Sequence, residues 1–134
     1  MRDPLPNFPG YALRRAANAT AAELAGKLGE VGLRQSDVSV LMLIDANPGV
    51  TASAIGRQLD IQRANMVPVL KRLEGLIDRV PIDGKSQGLE LSAAGRARLA
   101  EARKVVETFE AALIARVPAE HRAHLLPALE ALWR

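Results

Sequence analysis

Residues 51–95 read TASAIGRQLDIQRANMVPVLKRLEGLIDRVPIDGKSQGLELSAAG, and this stretch decides the fold. Apolar residues recur at three- and four-residue spacing over Thr51–Leu59 and Gln62–Leu76, which predicts two short helices joined by a tight turn. Strand-like runs near Arg79–Ile82 and Leu89–Leu91 flank a polar, glycine-containing loop, which predicts a β-hairpin. The order helix, turn, helix, hairpin is that of a winged helix-turn-helix, whose second helix can enter a DNA major groove.

Helical patterns flank this central unit on both sides. After an irregular arm over Met1–Gly10, apolar spacing predicts a helix over Tyr11–Val31. Ser92 is a good N-cap and predicts a long helix from Ala93 to about Arg116. A last helix is expected over about Ala119–Trp133. Because aromatic residues are scarce and alanine and leucine abundant, the expected fold class is mainly α with a small β-hairpin wing.

Local signals mark the ends and bends of these helices. Ser36 or Asp37 is expected to cap the helix that precedes the central pair, and Asn47-Pro48-Gly49 is expected to end it. Two prolines fall inside predicted helices. Pro68 should bend its helix without breaking it, because the apolar spacing continues across it, and Pro127 should bend or split the last helix.

Composition limits the classes of function. The chain has 134 residues, a net charge of +3 and no cysteine, so disulfides and thiolate metal sites are excluded and a polyanionic partner is permitted. No apolar run could span a bilayer and no secretion signal is evident, so we expect a cytoplasmic protein without membrane contact. His121 and His124 lack a third ligand, so no metal site is expected. Without a nucleophile or cofactor motif, neither an enzyme nor a bound cofactor is expected.

The terminal helices carry more apolar surface than a small subunit would leave in water. Two interpretations are open, because these helices could pair with a second copy or fold back onto the central unit. The first is favoured because the central unit is small. It divides the chain into an arm and dimerisation helix (1–32), the winged helix-turn-helix (33–95) and C-terminal dimerisation helices (96–134). The expected interface residues are Leu13, Leu24, Leu125, Leu129, Leu132 and Trp133.

The ordered motifs from Gly32 to Gly95 resemble the MarR family of bacterial transcription regulators. The segments that carry the resemblance are VLMLI (40–44), NPGVT (47–51), IGRQL (55–59), LKRLE (70–74), GLIDR (75–79), DGKS (83–86) and LELSAAG (89–95). The resemblance implies an obligate homodimer whose winged helices bind a palindromic operator in double-stranded DNA. It also implies that a small aromatic or lipophilic effector binds between the dimer helices and the DNA-binding unit, usually releasing the DNA, as in a ligand-responsive repressor.

Three features depart from the usual pattern of that family. Glu74 runs directly into Gly75, where members usually have two more residues, and this shortening could shift the wing relative to the preceding helix. Lys85 stands where the wing commonly has arginine, so the charge is kept but the planar guanidinium is lost. Pro68 occupies a position where many members carry a polar or basic residue that contacts bases.

Polar and basic residues cluster on the second helix of the central pair. Gln62, Arg63 and Asn65 lie at its start, where arginine could pair with guanine and asparagine with adenine. Lys71 and Arg72 lie further along and are expected to touch phosphate. The alternative for each is a solvated surface residue, but their clustering in this architecture favours DNA contact.

The hairpin tip supplies the remaining candidates. Lys85 is expected there, within reach of the DNA backbone or minor groove. Arg79 has two interpretations, because it could contact DNA or pair with Asp83 or Asp78 and brace the wing. The full set of expected DNA contacts is Thr51, Ser53, Gln62, Arg63, Asn65, Lys71, Arg72, Arg79, Lys85 and Ser86. A winged helix that binds another protein, without sequence-specific DNA binding, is the alternative function.

Three bulky side chains are candidates for an effector pocket. Tyr11, Met42 and Phe109 lie on the flanking helices and could line a space between the dimer base and the DNA-binding unit. Packing in the subunit core is the alternative for all three.

Overall fold

Six α-helices and one antiparallel hairpin form the chain in the computed structural model, which describes residues 1–134. The elements are α1 Pro9–Gly29, α2 Gln35–Ala46, α3 Ala52–Gln58, α4 Arg63–Arg72, β1 Ile77–Pro81, β2 Gln87–Leu91, α5 Ala93–Arg116 and α6 Arg122–Glu130. Single turns of 3₁₀ helix lie at Leu5–Asn7 and Ala119–His121. The mainly α winged helix-turn-helix expected from the sequence is confirmed. None of the helices combines the length and apolarity needed to cross a membrane.

One apolar core joins the winged unit to the long helices. α1 packs against α2 and α5, and α5 packs against α2 and β2. The most deeply buried large side chains come from α1, α2, α3, the position after α4, and β2, and include Leu28, Leu41, Ile44, Ile55, Leu73 and Leu89. Because the same core holds α4, the hairpin and α5, these elements are fixed relative to one another.

The hairpin is extended by a third short segment that the sequence analysis did not identify. β1 and β2 pair in antiparallel register from Ile77 opposite Leu91 onward. Val50, which lies between α2 and α3, forms a bridge with Leu89, whose N–H donates to the Val50 carbonyl at 2.8 Å. The close approach requires glycine at position 88, since a Cβ on Gly88 would lie 2.4 Å from a backbone carbonyl oxygen of this segment.

The junction between α4 and β1 is tighter than the sequence predicts. The expectation that the second helix extends to Leu76 is wrong, because α4 ends at Arg72. Gly75 has a φ of +87°, a left-handed conformation that favours glycine, and the Leu76 N–H donates to the Leu73 carbonyl at 2.9 Å. β1 consequently begins at Ile77, two residues earlier than expected.

The start of α5 agrees with the sequence prediction, whereas the starts of α2 and α1 differ from it. Ser92 caps α5 as expected, and its Oγ accepts a first-turn N–H at 3.0 Å. Neither Ser36 nor Asp37 is the N-cap of α2. Arg34 holds that position, and the Asp37 carboxylate reaches back to accept the Arg34 N–H at 2.9 Å. α1 begins at Pro9, inside the arm expected to be irregular, because proline suits the first position of a helix.

Both internal prolines are accommodated within helices. α4 continues across Pro68 and α6 continues across Pro127. The last helix is therefore not split at Pro127, and the 3₁₀ turn that precedes it passes directly into α6 at Arg122. α6 then ends at Glu130 and not at Trp133.

The terminal helices are only partly covered by the chain itself. α1 lies along α5, where Glu23 and Arg116 form a bidentate ion pair. Leu24 is buried in the subunit core, so it differs from the expectation of a residue that contacts a second copy. Other apolar side chains on the termini remain exposed, namely Leu13, Leu126, Leu132 and Trp133.

Candidate nucleic-acid interface

The two helices of the helix-turn-helix approach each other closely. Gly56 in α3 is buried, and a Cβ there would lie 2.9 Å from the Ile61 carbonyl oxygen. The Ile61 N–H donates to the Gly56 carbonyl at 2.8 Å, which closes the turn. Asp60 reverses the chain with a φ of 53°, a left-handed conformation that aspartate tolerates better than most residues. The angle between α3 and α4 is therefore fixed by short backbone contacts.

A surface groove of about 530 Å³ opens beside this turn. Arg57 of α3 and Arg63 of α4 both line it, and Asp60 is the only acidic residue in its lining. Arg57 is not among the DNA contacts expected from the sequence. The sequence signal for Arg57 is its position four residues after Ser53, which puts the two side chains on one face of a helix. In the structure, Arg57 Nη1 donates to Ser53 Oγ at 3.2 Å. The two guanidinium groups make this end of the helix-turn-helix positive.

The start of α4 presents the expected base-contacting residues together. Gln62 is the N-cap residue but makes no side-chain hydrogen bond to the helix, and Gln62, Arg63 and Asn65 are all exposed. Lys71 is exposed two turns further along. Because the first N–H groups of α4 have no side-chain cap, the positive end of the helix dipole is open to an anion such as a phosphate.

The hydroxyl groups at the start of α3 are partly engaged. Thr51 caps α3, and its Oγ1 accepts the Ala54 N–H at 3.1 Å. Ser53 is exposed and accepts the hydrogen bond from Arg57. Both hydroxyls act as acceptors in these contacts, so each keeps its own proton to donate to a phosphate oxygen.

Arg72 differs from the expectation that it touches phosphate, because its guanidinium is paired within the subunit. Nε and Nη2 of Arg72 donate to Asp37 Oδ1 at 3.2 and 2.9 Å. The Asp37 side chain is only 4% exposed, and that of Arg72 is 31% exposed. The pair links the last turn of α4 to the first turn of α2, so Arg72 orients the recognition helix.

The wing tip is shaped by one carboxylate. Asp83 Oδ1 accepts the N–H groups of Lys85 and Ser86 at 2.9 and 2.8 Å. The backbone hydrogen bonds from Lys85 and Ser86 hold the pKa of Asp83 below its ordinary value. Arg79 lies exposed on β1 and forms no ion pair, so the alternative interpretation, pairing with Asp83 or Asp78, does not describe this structure. Arg79, Lys85 and Ser86 are all exposed on the wing.

The three candidates for an effector pocket are placed differently from one another. Phe109 is buried in the core of the subunit, and Met42 is half-buried and packs against that core. Tyr11 is half-buried near the start of α1, where its hydroxyl accepts a hydrogen bond from Arg15 at 3.2 Å. The alternative of core packing therefore describes Phe109, whereas Tyr11 and Met42 retain exposed surface.

Comparisons with known proteins agree with this geometry. The model of the MarR family matches residues 33–84. A structure of the transcriptional repressor CouR bound to a 23-mer DNA duplex is 38% identical, with a TM-score of 0.89 over 97% of this chain and 95% of that chain. The chain belongs to the MarR family. It is a DNA-binding transcription regulator with a winged helix.

Further similar proteins extend the comparison for this MarR-family chain. A structure of CouR bound to p-coumaroyl-CoA is 36% identical, with a TM-score of 0.88 over 100% of this chain and 97% of that chain. The HTH-type transcriptional repressor Rv2887 of Mycobacterium tuberculosis is 28% identical over 127 residues, which cover 92% of this chain and 91% of the relative. A structure of Rv2887 in complex with salicylic acid has a TM-score of 0.73, with 28% identity over 93% of this chain and 96% of that chain.

Proposed function

We propose that this protein is a homodimeric, effector-responsive repressor that binds a palindromic operator. The observation that carries the proposal is the exposed, uncapped start of α4 with Arg63 and Asn65, on a chain similar over 97% of its length to a DNA-bound repressor. In this arrangement α4 enters the major groove and the hairpin tip reaches the neighbouring backbone or minor groove. We place the protein in the cytoplasm with its operator and assign it no catalytic role.

The proposed contacts fall into three groups. Base edges are contacted by the residues at the start of α4, which are Gln62, Arg63 and Asn65. Phosphates are contacted by Thr51, Ser53, Arg57 and Lys71, of which Arg57 is added from its place in the groove. The wing contributes Arg79, Lys85 and Ser86. Arg72 is assigned to positioning α4, because its guanidinium is engaged by Asp37.

The dimer is supported by apolar surface that the subunit leaves uncovered. A groove of about 430 Å³ between α5 and α6 is lined mainly by Leu113, Ile114, Leu125, Leu126 and Leu129. Leu13 on α1, and Leu132 and Trp133 after α6, are exposed as well. Pairing through residues 1–32 and 96–134 would leave both units 33–95 free to contact half-sites roughly 34 Å apart, one turn of the duplex.

The proposed effector is an aromatic acid or its coenzyme A thioester. CouR binds p-coumaroyl-CoA and Rv2887 binds salicylic acid, and both ligands join an aryl ring to a carboxyl-derived group. Tyr11 and Met42 are the candidates here for contacts to the ring, because both are half-buried. Phe109 is buried in the subunit core, so it is not assigned a contact with the effector.

Selection of duplexes from a random pool, followed by titration at several salt concentrations, tests the proposal. A palindrome should be enriched, and the logarithm of its affinity should fall linearly with the logarithm of the salt concentration. Arg63→Ala should cost about 1–3 kcal/mol and relax specificity at one position, whereas Lys85→Ala should weaken all sequences alike. Lys104→Ala, an exposed lysine on α5, is the matched control. Equal affinity for selected and scrambled duplexes, as expected of a protein-interaction module, would contradict the proposal.

A further inference from the structure

The outer face of α4 exposes a large apolar side chain where the recognition surface is otherwise polar. Between residues 33 and 95 only Val67 and Ile82 are exposed large apolar residues, and Val67 is 63% exposed. Arg63 and Lys71 lie four residues before and after Val67, so the three share one face of the helix. Val67 therefore lies between two cations in the middle of the proposed DNA-contacting surface.

The neighbours of Val67 on this face are also unable to form side-chain hydrogen bonds. Ala64 and Pro68 are exposed beside it, and neither carries a polar side-chain group. The core-facing side of α4 is supplied by other residues, including the buried Met66 and Val69. The exposed valine consequently contributes little to the subunit's own packing, and a β-branched residue is a mediocre helix former.

An apolar surface flanked by two cations complements one feature of the DNA major groove. The cations match the phosphates on either side of the groove. Among the base edges in the major groove, the C5-methyl group of thymine is the one apolar group, while the other groups are donors or acceptors. A valine offers methyl groups and no hydrogen bond, so it fits thymine and leaves the polar edge of cytosine or guanine unsatisfied.

We propose that Val67 is a specificity-determining residue that contacts the 5-methyl group of a thymine in each operator half-site. This inference rests on the proposed function and adds to it the identity of one recognised base. Burial of one methyl group accounts for about a fourfold change in affinity per half-site, and about 15-fold when both half-sites of a palindrome are changed.

Replacement of thymine by deoxyuridine tests the contact directly, because uracil pairs in the same way and lacks only the methyl group. The probe is the tightest duplex selected from a random pool, with each thymine replaced in turn in both half-sites. For the unmodified protein, replacing the thymine at one position of both half-sites should weaken binding about 15-fold. For Val67→Ala the same replacement should change affinity less than twofold, whereas Ile82→Ala should keep the full sensitivity. Circular dichroism should show the same helix content for all three proteins, because both side chains are exposed.

The possible outcomes separate this inference from the proposed function. A selected operator that binds specifically but tolerates uracil at every position overturns the inference and leaves the proposed function standing. The same is true if Val67→Ala keeps the uracil sensitivity, because another residue then contacts the methyl group. Absence of any sequence-specific binding overturns both.

Discussion

The ion pair between Asp37 and Arg72 should respond unequally to removal of its two members. The buried Asp37 carboxylate accepts hydrogen bonds from the Arg34 N–H and from two nitrogens of Arg72. The Arg72 side chain is 31% exposed, so its guanidinium can reach water once the carboxylate is replaced. Removing the arginine instead leaves a carboxylate that is 4% exposed with a single N–H donor.

These differences in burial set the expected magnitudes. Breaking a buried pair by removing one partner costs about 3–5 kcal/mol, and the partial hydration of Arg72 places Arg72→Met near the lower end, at about 3 kcal/mol. Asp37→Asn keeps an oxygen that accepts the Arg34 N–H, so its cost is about 1–1.5 kcal/mol, the upper part of the range for the net contribution of an ordinary intramolecular hydrogen bond. Methionine retains much of the apolar stem of arginine, so lost packing is a small part of the difference.

Urea unfolding and thermal unfolding, both followed by far-ultraviolet circular dichroism, measure these costs. All variants must be compared at one protomer concentration, because the proposed dimerisation would make the apparent stability depend on concentration. At about 4 °C per kcal/mol, Arg72→Met should lower Tm by about 12 °C and Asp37→Asn by about 5 °C. The double variant should be less destabilised than the sum of the two, since neutralising the carboxylate removes the unpaired buried charge.

Two results would refute this reasoning. Asp37→Asn could cost as much as Arg72→Met, which would mean that burial does not distinguish the partners. Alternatively, Arg72→Met could leave stability unchanged while lowering DNA affinity and reducing the salt slope by about one. That result would return Arg72 to the phosphate contacts expected from the sequence.

Three further substitutions test other parts of the structure. Gly95→Ala places a Cβ 1.9 Å from the Leu76 carbonyl oxygen and should cost about 1–3 kcal/mol in urea unfolding, whereas Gly84→Ala has open space and should cost clearly less. Asp83→Ala should loosen the wing tip and weaken DNA binding although it removes a negative charge, whereas Asp83→Asn keeps an acceptor oxygen and should not; equal losses in a gel-shift titration would argue against this. The hydrogen bond from Arg116 on α5 lowers the pKa of Glu23. The stabilisation by this ion pair is therefore present above the unfolded pKa of Glu23 and is lost as pH falls through the folded pKa. Glu23→Gln should therefore lose less stability than the unmodified protein between about pH 5 and about pH 3, as measured by urea midpoints.

The sequence predicted those elements whose ends carry local chemistry. α5 was predicted at both ends, because Ser92 is a strong N-cap and the Val117-Pro118 pair stops a helix. The end of α4 was predicted too late, because Leu73 and Leu76 continue the helical spacing although Gly75 already has a left-handed φ. A periodic pattern shows which side chains face the core, but turns also bury apolar residues. The pattern alone therefore does not mark the residue at which a helix ends.

Some contacts of individual residues are tertiary, and no local pattern encodes them. Arg72 was expected to touch phosphate, because nothing near it in sequence indicates that a buried carboxylate 35 positions earlier accepts its hydrogen bonds. Leu24 was expected to contact a second copy, whereas it is buried within the subunit. An apolar stripe on α1 does not reveal which part of the stripe α5 and α2 cover. The cluster at the start of α4 was predicted in place because its members are adjacent in sequence.

If the proposed dimer forms through the terminal helices, the placement of α5 explains how an event there would move the DNA-binding unit. α5 has 24 residues and is therefore about 36 Å long, with one end beside α1 and α6 and the other at the wing. At the wing end, Ser92 Oγ donates to the Gly75 carbonyl at 2.7 Å and Gly95 packs on the Leu76 backbone. Because these contacts are short, the junction follows the start of α5. A tilt of about 5° about the base displaces this end by about 3 Å, a substantial error for two recognition helices matched to grooves roughly 34 Å apart.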